Sequence, residues 1–358
     1  MTDVSRRALL KGGMVAGSLA AVPAEALAAA PETDKPLTRI AFGSCAKQDK
    51  DQPIWDQVNA WSPELFVFLG DNIYADTDDM AVMKAKYAKL AGKPGFKELR
   101  RKTPCIAIWD DHDYGRNDAG REYPMKKESK DIFMEFWQEP ADSERRTREG
   151  NQMAYIYGPP GKRVQVILPD NRWWRSGLLG MTETPKDRGP YLTNSDPDAV
   201  MLGWEQWQWL QEQLEKPAEI RIFASSTQVL ADKPGWETWA LFQAEQQRLF
   251  DLVRFTGTTG FFCISGDTHY CELSRRDDNV PYPFWDLTSS GLTETWHYLA
   301  PNKYRVGEGH AVQNFGTIEI DWGAAGPVIM LGTRDGAGKP LISQKLNLSD
   351  LKPGAARA

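Results

Sequence analysis

Cysteine is scarce, with four in 358 residues, far too few for a disulfide framework. Histidine is equally rare, also four, so the place of each imidazole carries information. No long basic block is present and the net charge is −6, which argues against a nucleic-acid duplex as partner. No apolar run is long enough for a stable membrane span. Neither Gly-x-Ser-x-Gly nor His-Glu-x-x-His occurs, so the marks of a serine hydrolase elbow and of a zinc protease are missing. Aromatic residues, in contrast, make up 11% of the chain and include 14 tryptophans, too much apolar mass for a disordered polypeptide. The length allows one to three domains and a large core.

The first thirty residues read as an export address. Ser5-Arg6-Arg7-Ala8-Leu9-Leu10-Lys11 is a twin-arginine start, followed by a weakly apolar run from Met14 to Val22, then Pro23 and Ala26-Leu27-Ala28-Ala29-Ala30. Such a segment is read by a receptor and removed, here after Ala28 or Ala30. The expectation is a periplasmic or secreted protein whose partners include the twin-arginine export machinery. One domain is expected over residues 36–350, with polar insertions near 115–150 and 173–203.

Short apolar runs at 40–42, 65–69, 106–109, 164–168, 220–224 and 261–264 are continuous rather than alternating, as in strands covered on both faces. Helical patterns at 80–90, 204–215 and 239–255 separate some of them, and strand–helix alternation argues α/β layers. Further strand-like runs at 284–287, 316–321, 328–331 and 342–346 suggest a second sheet or an extension of the first. Gly332 to Lys339 reads as a hairpin turn.

Four loops after apolar runs carry the chemistry: Gly43-Ser44-Cys45, Gly70-Asp71-Asn72-Ile73-Tyr74, Trp109-Asp110-Asp111-His112-Asp113 and Gly266-Asp267-Thr268-His269. Open α/β sheets bind ligands outside the carboxyl ends of their strands. In an extended strand Asp71 and Tyr74 would stand roughly 10 Å apart; both meet one ion only if the chain curls, as Gly70, Asp71 and Asn72 permit. Three carboxylates within four residues at Asp110–Asp113 repel one another, and a cation relieves that. Asn117 adds a neutral oxygen within reach of the same loop. Asp267 and His269, two apart, would point to one side of an extended chain and face one ligand. A Cys45 thiolate suits iron or zinc, whereas carboxylates and Asn117 suit a harder ion. This mixture suggests two unlike metals with Asp71 as the bridge. Trp207 is expected in the core, while Trp173, Trp174, Trp236 and Trp239 lie near site-bearing segments and are candidates for a pocket wall.

These motifs, with Thr288-Ser289-Ser290-Gly291 and Asp170-Asn171-Arg172-Trp173-Trp174-Arg175, resemble the alkaline phosphatase D (PhoD-like) family of calcineurin-like metallophosphoesterases, from about Thr38 to the C-terminal strands. The resemblance implies a layered α/β/β/α sandwich of two packed mixed sheets. It implies Fe3+ held by Cys45, Asp71, Tyr74 and His269, and Ca2+ held by Asp71, Asp267 and either Asp111 or Asn117. Hydrolysis of phosphate esters by a metal-bound water or hydroxide would follow, with His112 near the leaving group, Asp267 or His112 handling protons, and Arg172 and Arg175 on the phosphate oxygens. The wider fold usually offers a histidine after a middle strand; here Ser225-Ser226-Thr227-Gln228 stands in its place. That departure motivates an alternative, a noncatalytic metal-binding envelope protein of the same fold.

Overall fold

A computed structural model describes residues 34–183, 188–233, 235–323 and 326–354. The segment read as a twin-arginine leader, with its expected cleavage positions, lies outside the described residues. In chain order the strands are β1 (Arg39–Gly43), β2 (Leu65–Leu69), β3 (Cys105–Ile108), β4 (Met153–Tyr157), β5 (Val164–Leu168), β6 (Leu179–Gly180), β7 (Tyr191–Leu192), β8 (Ile220–Ser225), β9 (Phe261–Ser265), β10 (Cys271–Arg276), β11 (Phe284–Ser289), β12 (Asn314–Asp321), β13 (Val328–Asp335) and β14 (Pro340–Asn347). The helices are α1 (Ile54–Trp61), α2 (Met80–Ala91), α3 (Pro94–Lys102), α4 (Asp111–Tyr114), α5 (Lys126–Trp137), α6 (Trp204–Glu215) and α7 (Gln243–Phe255).

Two six-stranded sheets form, ordered β14-β13-β12-β1-β2-β3 and β10-β11-β9-β8-β5-β4. Both are mixed. β1, β2 and β3 run parallel, with β12 antiparallel against β1; β5, β8, β9 and β11 run parallel, with β4 and β10 antiparallel at the edges. The continuous apolar runs have their explanation here. β2, β5, β8 and β9 are buried along their whole length, as strands covered on both faces must be. The C-terminal strands divide between the sheets: β11 joins the second, while β12 to β14 extend the first. The predicted hairpin turn near Gly332–Lys339 links β13 to β14.

The sheets meet through β2 against β8 and β11 against β12 and β13. Helices cover the outer faces. On the first sheet, Trp55 of α1 packs on Phe66, Phe68 and Phe96, and Trp137 of α5 packs on Phe68. On the second, Trp239 sits between Trp207 of α6 and Phe223, and Phe250 of α7 packs on Phe284. The expected α/β/β/α sandwich is therefore the observed one. α2 starts where the acidic run predicts, with the Asp79 side chain accepting the Ala81 N–H at 2.8 Å, a conventional N-cap. The first insertion supplies α5, which packs against α2 and joins the outer helical layer. Among the described residues, no helix is long and apolar enough to cross a membrane.

Candidate metal centre

Parallel strands leave their sheets on one edge, and the turns that follow are pinned to each other. The N–H of Cys45 reaches the Gly70 carbonyl at 3.4 Å and that of Ala46 the Asp71 carbonyl at 2.9 Å; Gly266 N–H reaches the Ser226 carbonyl at 3.1 Å. Gly70 has φ +93°, and a Cβ there would stand 2.6 Å from the Asp110 nitrogen, so only glycine fits. The next residue does without that freedom. Cys45, Asp71, Asp267 and His269 all have positive φ, at 65°, 50°, 73° and 61°. For non-glycine residues this region is sparsely populated and costs on the order of 1–3 kcal/mol each. All four are expected ligands, and the surrounding hydrogen bonds hold them in this conformation.

The outcome brings most of the expected ligands together. Cys45, Asp71 and His269 form one set whose donor atoms lie within 4.8 Å of one another. Asp71, Asp111 and His112 form a second, and Asp110, Asp111 and Asp267 a third. Asp71 belongs to two sets and Asp111 to two of these three. Cys45 Sγ stands 3.4 Å from Asp71 Oδ2, and the Tyr74 hydroxyl 3.0 Å from His269 Nε2. Gln48 clasps Tyr74 by its backbone, accepting its N–H at 2.9 Å and donating to its carbonyl at 3.4 Å. Asp267 and His269 do not act as an extended pair facing one ligand. Both lie in a left-handed turn, closed by the Thr268 N–H on the Gly266 carbonyl, and they serve neighbouring sets.

The electrostatics show a site short of positive charge. Burial raises Asp71 well above the usual carboxylate range, with Cys45 and Asp111 adding to the effect. Burial lifts Asp267 to about 7 and the Cys45 thiol to about 12. Asp111 goes the other way: burial opposes its charge, but Arg172, His112 and the Asp118 N–H hold it ionised. His112 is raised to about 11, because Asp71, Asp111 and Asp76 outweigh burial; its Nδ1 lies 2.7 Å from Asp76 Oδ1. Burial drops His269 to about 4, keeping the imidazole neutral, the form that binds metals. Asp110 Oδ2 and Asp111 Oδ1 are buried with no hydrogen-bond partner among the described residues. Orphaned carboxylate oxygens inside a protein are costly, and a cation would satisfy them. The donor set therefore fits metal binding.

Asn117 is placed differently. It is exposed, and its side-chain amide donates to Asp118 Oδ2 at 2.7 Å, whereas Asp111 is buried and keeps one oxygen without a hydrogen bond among the described residues. Arg172 and Arg175 are fully buried. Arg172 donates to Asp110 at 2.6 Å and to Glu237 at 2.9 Å, and approaches Asp111 at 3.8 Å; Arg175 lies 3.2 Å from Glu237. Both guanidinium groups are thus held beneath the site by carboxylates. The Ser225–Gln228 stretch begins with the last residue of β8, and Ser226 Oγ donates to Asp110 Oδ1 at 2.7 Å. Trp173 stacks on Trp109 and Trp239 belongs to the core, while Trp236 meets the exposed Trp296 edge-on, with centroids 4.5 Å apart.

Sequence reasoning passed over three groups. Asp110 was visible as a neighbour of Asp111 but carried no separate signal. Asp113 accepts the N–H groups of Asp71, Asn72 and Asp110 and so shapes the loop rather than lining it. Glu237 lies in a loop between Trp236 and Trp239, which were noted only as pocket-wall candidates, and nothing in that context marks the carboxylate.

A double-sheet α/β sandwich with carboxylate, imidazole and thiol donors on its strand-exit loops defines the metallophosphoesterase-like class. Residues 40–314 match the family model of the PhoD-like phosphatases, and the chain belongs to that family of phosphoesterase hydrolases. The fold is similar to a solved structure of PhoD, at TM-score 0.66 and 15% identity, covering 91% of this chain and 75% of that one. It is also similar to GAP50, described as the anchor in the inner membrane complex of Plasmodium, at TM-score 0.54 and 12% identity, covering 87% and 89%. The comparison with curated proteins finds no match.

Proposed function

We propose that this protein is an exported two-metal phosphoesterase of the alkaline phosphatase or phosphodiesterase type. The observation that carries the reading is the sharing of Asp71 and Asp111 among adjoining donor sets within 4.8 Å, the arrangement a pair of bridged cations requires. Cys45, Asp71 and His269, with Tyr74 beside His269, suit Fe3+; Asp71, Asp111 and Asp267, drawn from two adjoining sets that share Asp111, offer hard oxygens suited to Ca2+. Bound in such a site, two cations supply Lewis acidity, making a water more acidic and neutralising phosphoryl charge.

The chain's own residues have separate tasks. Asp267 accepts the proton released as water attacks phosphorus. His112 is oriented by Asp76 at Nδ1, which makes Nε2 the nitrogen for the departing oxygen. Arg172 and Arg175, for which a phosphate contact was expected, we assign to neutralising Asp110 and Glu237, because their burial separates them from substrate. The twin-arginine start supports export and a periplasmic or secreted destination; fractionation of cells expressing the full chain and an Arg6→Lys, Arg7→Lys variant tests that.

The test of the activity is direct. Purified protein releases phosphate or phenol from aryl phosphates, chelation stops this, and Cys45→Ala and Asp71→Ala abolish it. Wild-type rates in those variants would end the proposal. Turnover also separates it from the noncatalytic alternative, which predicts bound metal and no hydrolysis of any ester.

A further inference from the structure

With both arginines buried, the anionic substrate needs another cation, and the described residues around the centre leave one. Lys86 donates to the Tyr74 and Ala75 carbonyls at 2.6 and 3.0 Å. Lys89 pairs with Asp49 at 2.5 Å and Lys50 with Glu294 at 2.9 Å. Arg116 pairs with Asp78. Lys233 is buried, facing the Tyr270 ring. Lys47 alone among these is half-buried with an ammonium that makes neither an ion pair nor a hydrogen bond among the described residues; its contact is with the Tyr74 ring. Asp49, whose carboxylate does feel its charge, is already held by Lys89.

Lys47 is also the best placed. It follows Cys45 by two residues, and its ammonium lies 5.3 Å from the centre of the Tyr74 ring. That ring is 4.3 Å from the His112 ring, and its hydroxyl is 3.0 Å from His269. The Lys47 backbone is fixed from both ends: its N–H donates to Thr293 Oγ1 at 2.7 Å and its carbonyl accepts from Gln52 Nε2 at 3.2 Å. A tethered main chain beneath an unpaired ammonium is an arrangement for receiving an anion without reorganisation.

Resting on the phosphoesterase reading, we infer that Lys47 binds a nonbridging oxygen of the substrate phosphoryl group and biases the site toward monoesters. A monoester carries nearly two negative charges above its second pKa of about 6, whereas a diester carries one. An ammonium in a low-dielectric rim rewards the extra charge.

The experiment compares metal-loaded wild type, Lys47→Met and Lys47→Arg on an aryl phosphate and the matching bis-aryl phosphate. Calorimetry with inorganic phosphate is run in parallel. Lys47→Met lowers kcat/KM for the monoester about 10- to 100-fold, mainly through KM, and weakens phosphate binding by a similar factor. The loss on the diester is several-fold smaller, Lys47→Arg restores most of the monoester rate, and metal content and Tm are unchanged. Equal losses on both esters, or none, with an active wild type overturn the assignment of Lys47 alone. Hydrolysis of neither ester by the wild type refutes the phosphoesterase reading itself, and the Lys47 assignment falls with it.

Discussion

Asp113 accepts the backbone N–H of Asp71 at 3.1 Å, so one carboxylate of the acidic loop fixes the backbone of the shared ligand on its neighbour. It also accepts the N–H of Asn72 at 3.3 Å and that of Asp110 at 2.7 Å. A carboxyl group accepting three backbone donors holds the turn in which Asp71 sits at φ 50°. Replacing it with an amide puts an NH2 group where acceptors are needed. Asp113→Asn should cost about 1–3 kcal/mol of stability and lower metal affinity about 10- to 100-fold. Denaturant unfolding and metal titration check both.

Arg172 offers a second discrimination. It is fully buried between Asp110 and Glu237. Removing one partner of a buried ion network leaves uncompensated charge, at a cost of about 3–5 kcal/mol. Arg172→Met should therefore lower stability on that scale. A phosphate-binding role would instead raise KM at unchanged stability. Unfolding curves beside KM values decide between them.

The strand framework was legible because its runs are continuous and apolar. β2 and β5 were read at their observed bounds and α6 at its own, and the four ligand loops were found because each follows such a run. What escaped has physical reasons. β4 is only half-buried for most of its length, so its sequence shows no clear run. α1 and α3 are short helices with no side-chain cap, and the prolines at their starts, Pro53 and Pro94, read equally well as turn residues. The Asp267–His269 pair was read as extended because sequence spacing shows alternation, whereas backbone hydrogen bonds impose the left-handed turn. The burial of Arg172 and Arg175 depends on Glu237, more than sixty residues away in the chain, and no local pattern reports that.

The metal-free protein should show an inverted pH dependence. Burial raises Asp267 to about 7 and Asp113 to about 7, and raises Asp71 and Asp110 in the same direction. Unfolded, these carboxyls titrate near 4. Between those values the folded state keeps protons that the unfolded state has lost, so this contribution is full below about 4 and is lost as pH rises through about 7. Metal binds the deprotonated forms and works in the opposite sense. Chelated protein should lose Tm from pH 5 to pH 8, while metal-loaded protein should gain stability relative to it. Parallel slopes for the two forms would contradict this.

Gly70 is a test of the scaffold without touching a ligand. A Cβ there meets the Asp110 backbone at φ +93°. Gly70→Ala should displace the turn that carries Asp71, with activity and metal content falling together; a variant with wild-type metal content and rate would show that the loop has slack.

The central claim is that Cys45, Asp71, Asp111, Asp267 and His269 hold two cations sharing a carboxylate. Elemental analysis of protein purified from cells that express the full chain tests it most directly, run beside Cys45→Ala and Asp267→Asn. The account predicts two metals per chain, loss of the iron with Cys45→Ala, and loss of the calcium with Asp267→Asn. A wild-type protein with no stoichiometric metal, or unchanged metal content in both variants, would contradict it.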